Sequence, residues 1–136
     1  MTKTLEKVYK ARNVCHIHGV VGSELLIGHG DDNFNEGYYE ARYAGSEEGV
    51  SATHKALRKK THEALDANMS FFTNLENIDK IYSFGFSFSD VDMIYIGKIC
   101  EVLSTENITW YLSSYETDQI REEHKNNIRK YVTSSR

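Results

Sequence analysis

Proline is absent from the 136 residues, so no X-Pro isomerisation step slows folding. Cysteine occurs only twice, as Cys15 and Cys100, both in apolar surroundings. Two thiols with no partner pattern exclude a disulfide scaffold, and they fit buried free thiols in a reducing cytoplasm. No apolar run reaches the ~18–20 residues of a membrane helix. The opening MTKTLEKVYK is charged, which predicts no secretory signal and a cytoplasmic location. There is no GxGxxG, no GxxxxGK[ST], no GxSxG and no CxxC, so complete phosphate-cradle, nucleophile-elbow and zinc-knuckle signatures are all missing. Neither charge sign dominates: 16 Lys+Arg against 20 Asp+Glu leave a net −4, which argues against a dedicated nucleic-acid binder.

A composition of 40% hydrophobic and 26% charged residues is that of a soluble globular chain. At this length, folding buries roughly 68% of the surface of the unfolded chain, enough for a core in a single domain.

Val14–His18 (VCHIH) is short and β-branched and runs into Gly19, predicting a strand and a turn. Leu25–Ile27 predicts a second strand, and Asp31 to Gly49 a long loop. From Ser51 to about Leu75, the spacing of Leu57, Leu65, Met69 and Phe72 predicts one helix. Its first half carries Lys55, Lys59 and His62 on one face, with Arg58 and Lys60 beside them. Such a face is ordinarily solvated, and a phosphate or partner contact is the alternative. Ile81–Phe84 predicts a third strand, ending at Gly85, and Val91–Leu103 an enclosed helix. Ser89 with Asp92 resembles a capping box. Ile108–Ser113 predicts a fourth strand, and Thr117–Val132 a helix with a stripe of Ile120, His124, Ile128 and Tyr131. Strand and helix alternating toward the C-terminus predict an α/β fold with a parallel sheet, about four strands and three helices.

Three clusters carry possible chemistry. In HIHG, His16 and His18 would share one face of a strand, as two satisfied core histidines, a chelating pair or a general base. In GHGDDN, the glycines Gly28 and Gly30 allow close backbone approach to a ligand. His29, Asp31 and Asp32 could there complete a metal site with His16 and His18. Glycine and aspartate are also ordinary turn residues, and with no Cys ligands the expectation is no metal. In GFSFSDVD, Gly85 and Ser87 lie where an open α/β sheet binds ligands, beyond a strand's carboxyl end and near a helix N-terminus. Asp90 and Asp92 favour that helix start and would suit a ribose hydroxyl better than a phosphate.

HIHG, then IGHG, then GFSFSDVDMIYIGKI, then WYLSSY resemble, in that order, the C-terminal half of AbiH-type abortive-infection proteins of bacteria. The resemblance spans most of the chain from Val14 to the last helix. It implies a role in defence against bacteriophage and a partial Rossmann-like, sirtuin-like fold that binds NAD or a related nucleotide. It makes His18-Gly19 the counterpart of a sirtuin-like His-Gly whose His is the catalytic base, and Gly85 and Ser87 part of a ribose site. The candidate nucleotide-binding set is thus Gly19, Gly28, His29, Gly30, Gly85, Ser87, Asp90 and Asp92. The resemblance also implies that the family's N-terminal half, with its Asn-Gly-Phe-Asp segment, is not among these residues, and that the chain is inactive alone and forms a homo-oligomer. Two other readings compete: a metal-dependent hydrolase using His16, His18, His29, Asp31 and Asp32, and a non-enzymatic oligomerising module.

Overall fold

The computed structural model describes residues 3–23, 25–28, 49, 52–53, 56–103 and 108–134. The chain divides into two compact units, Met1–Ala64 and Leu65–Arg136.

The first unit opens with a single-turn helix, α1 (Thr4–Lys7). The predicted strand at Val14–His18 does not form. His16 C=O instead accepts from Gly19 N–H at 2.7 Å, and Gly19 has φ +77°, so residues 16–19 close a turn. Leu25–Ile27 is likewise no strand: Leu26 N–H reaches His18 C=O at 3.1 Å, but no ladder follows. β-branched residues favour strands only when a partner strand supports them. His16 and His18 therefore share no strand face.

The helix predicted over Ser51–Leu75 is broken. Residues 58–60 are not helical, and the chain resumes as α2 (Thr61–Ala67) and α3 (Met69–Thr73). Leu57 is exposed, whereas Leu65 and Phe72 are buried. The apolar spacing that suggested one helix thus joined residues on either side of a break. Asn68 marks the second interruption, where Asn68 N–H bonds Leu65 C=O and Phe71 N–H bonds Asn68 C=O, both three residues apart. The basic residues Arg58, Lys59, Lys60 and His62 accordingly form no single helix face, and Lys55 lies outside the described residues.

The second unit holds the parallel pair that the alternation predicted. β1 (Lys80–Ser83) and β2 (Thr109–Leu112) pair Ile81 with Trp110 and Ser83 with Leu112. Between them runs α4 (Met93–Val102), and after them α5 (Asp118–Ser134). Among the described residues the sheet has these two strands rather than four, with five helices. Thr117 starts α5: its Oγ1 accepts from Ile120 N–H at 3.4 Å, the N-cap role its hydroxyl predicts. Arg121 ties the preceding loop down by donating to the carbonyls of Ser114 and Glu116 and to the Asp118 carboxylate.

One face of the sheet meets both helices. Phe88, Met93, Ile96, Cys100 and Ile128 are buried, with Trp110, Leu112, Tyr131 and Val132 packed against them. Burial of Cys100 pushes its thiol above the usual range; Cys15, half-buried, is raised for the same reason. Gly97, mid-helix in α4, is where Tyr131 of α5 packs: a Cβ there would lie 2.9 Å from the ring.

Candidate functional site

The connection from β1 to α4 gathers the third sequence cluster. Its alternation of small or polar residues with aromatics becomes an alternation of outside and inside. Phe86 and Phe88 turn inward, their rings edge-to-face with centroids 4.8 Å apart, while Ser87, Ser89 and Asp90 are exposed. Two left-handed residues make this possible, Gly85 at φ +63° and Phe88 at φ +51°. For Gly85 that conformation costs nothing, and among the described residues no atom lies within 4 Å of where a Cβ would stand, which leaves room for a ligand to approach the backbone. For Phe88 it costs about 1–2 kcal/mol, offset by burial of the ring to 4% exposure.

Phe88 rests on His124 of α5, ring centroids 4.5 Å apart. His124 is itself buried, and its Nδ1 lies 3.0 Å from Glu116 Oε2 at an angle that makes no hydrogen bond. Phe88 and His124 are thus buried in ring contact beneath the connection. Sequence reasoning placed His124 in a helix stripe but missed this contact, since nothing local to residue 124 points to residue 88.

A three-residue 3-10 turn, Asp90–Asp92, leads into α4. The capping box expected of Ser89 and Asp92 is not formed. Ser89 Oγ meets Asp92 Oδ2 at 3.4 Å, and no side chain caps a backbone N–H. The 3-10 turn supplies the bond instead, from Asp92 N–H to Ser89 C=O at 2.9 Å, and the short Asp lacks the reach of the usual Glu or Gln. Both carboxylates still stand at the positive end of the α4 dipole.

The histidine cluster belongs to the first unit. His16 Nε2 lies 2.6 Å from Glu6 Oε1 of α1, a pairing across ten residues that no local pattern announces. The hydrogen bond to His16 holds the Glu6 carboxyl below its ordinary value of 4.5. A lowered carboxyl stabilises the fold above pH 4.5, and that contribution is lost as pH falls through the lowered value. Acid unfolding of wild type and Glu6→Gln is therefore expected to differ above pH 4.5 and to converge only as pH falls through the lowered value, as followed by circular dichroism. Curves separated equally at every pH would contradict this.

His18 is half-buried in the turn, beside Gly19. Gly28 has a structural reason for lacking a side chain: a Cβ would fall 2.1 Å from Leu57 C=O and 2.9 Å from Lys59 N. His29, Gly30, Asp31 and Asp32 lie outside the described residues. Among the described residues, no three His, Cys, Asp or Glu side chains converge as a metal site, and no helix is long and apolar enough to cross a membrane.

Gly85, Ser87, Asp90 and Asp92 are thus brought onto one connection, while His18, Gly19 and Gly28 lie in the other unit. The family model of bacteriophage abortive infection AbiH matches residues 1–114. The chain belongs to the AbiH family. The matched stretch takes in both the histidine turn and the β1–α4 connection and ends just past β2; α5, with His124, follows it. No curated protein and no solved structure matches the chain.

Proposed function

We propose that this AbiH chain acts in phage abortive infection through a nucleotide, NAD or a related ADP-ribose compound, bound at the carboxyl end of β1. The observation that carries the reading is the open Gly85–Ser87 segment, held by two inward phenylalanines at the exit of a parallel strand and ahead of α4. This is the place where open α/β sheets bind ligands. Gly85 offers close backbone approach, Ser87 a hydroxyl, and Asp90 and Asp92 acceptors for ribose hydroxyls. His18, which the sirtuin-like resemblance makes the base, belongs to the other unit.

The 136 residues contain no glycine-rich pyrophosphate fingerprint, and positioning of the reacting groups supplies several kcal/mol of catalysis. The reading is therefore weak binding without turnover by this chain alone. A Kd of roughly 1 mM corresponds to about −4 kcal/mol, and ADP-ribose at about ten times that Kd stabilises the fold by about 1.4 kcal/mol. Thermal melts with ADP-ribose are expected to show a shift that Gly85→Val removes. No shift for the wild-type chain sinks the reading. Nicotinamide release from NAD is expected to stay at background, and turnover abolished by His18→Ala would show instead that these residues suffice for catalysis.

A further inference from the structure

We draw no further inference here: the strongest candidate, the Glu6–His16 pair of the first unit, in which His16 Nε2 lies 2.6 Å from one carboxylate oxygen of Glu6 while the other is buried without a partner, carries nothing because among the described residues no third metal-ligating side chain converges on it and nothing beside it names a substrate.

Discussion

Phe88→Ala is expected to destabilise the second unit by about 3–5 kcal/mol, the usual cost of removing a buried aromatic ring. The ring lies in the central cluster with Met93, Ile96, Cys100 and Ile128, and it touches both Phe86 and His124. The loss is a large share of the 5–15 kcal/mol that holds an ordinary domain together. In urea it corresponds to a fall of roughly 2 M in the unfolding midpoint, read from Trp110 fluorescence. A second variant isolates the backbone. Phe88 sits at φ +51°, where alanine remains strained and glycine does not, so Phe88→Gly is expected to be about 1 kcal/mol more stable than Phe88→Ala. That reverses the ordinary order of the two residues. Equal stability of the two variants would show that the left-handed conformation is not what holds this corner.

Gly28→Ala is expected to cost about 3 kcal/mol or more in the first unit, at the upper end of overpacking effects. The added methyl would overlap the Leu57 carbonyl at 2.1 Å and crowd the Lys59 nitrogen at 2.9 Å. Both are backbone atoms, so no rotamer change relieves the contact, and the segment before α2 must move as a whole. Gly97→Ala makes the useful contrast. Its Cβ meets Tyr131 at a similar 2.9 Å, but a ring can swing aside, and alanine gains up to about 1 kcal/mol of helix propensity. Gly97→Ala is therefore expected to fall within about 1 kcal/mol of wild type while Gly28→Ala does not. Circular dichroism melts of the two variants check both; a Gly28→Ala protein as stable as wild type would mean that residues 57–59 are free to withdraw.

Gly28 and Gly85, both in the candidate nucleotide-binding set, thus stand in different surroundings. Among the described residues no atom lies within 4 Å of a Cβ built at Gly85, whereas the space beside Gly28 is taken by the chain's own backbone. A glycine in a sequence says that a side chain is excluded there; only the fold says by what.

Residue order alone was enough for β1, α4, β2 and α5, and for their parallel arrangement. Each is a periodic apolar segment closed by turn residues, and strand–helix–strand order with a long crossover requires parallel pairing. The motifs HIHG, IGHG, GFSFSDVD and WYLSSY likewise carried the family, because a residue pattern is a property of the chain before it folds. What tertiary structure decided was everything resting on a partner distant in sequence. Val14–His18 had the composition of a strand but no ladder to join, so it became a turn. Leu57 had helical spacing to Leu65, yet the break at residues 58–60 left it exposed. Glu6 found His16 and Phe88 found His124 through contacts ten and thirty-six positions away in the chain, and Tyr82 met Tyr111 only because register set them side by side. Local preference is settled among neighbours three or four residues apart, while pairing and burial depend on which distant segment arrives, and that is a property of the folded chain as a whole.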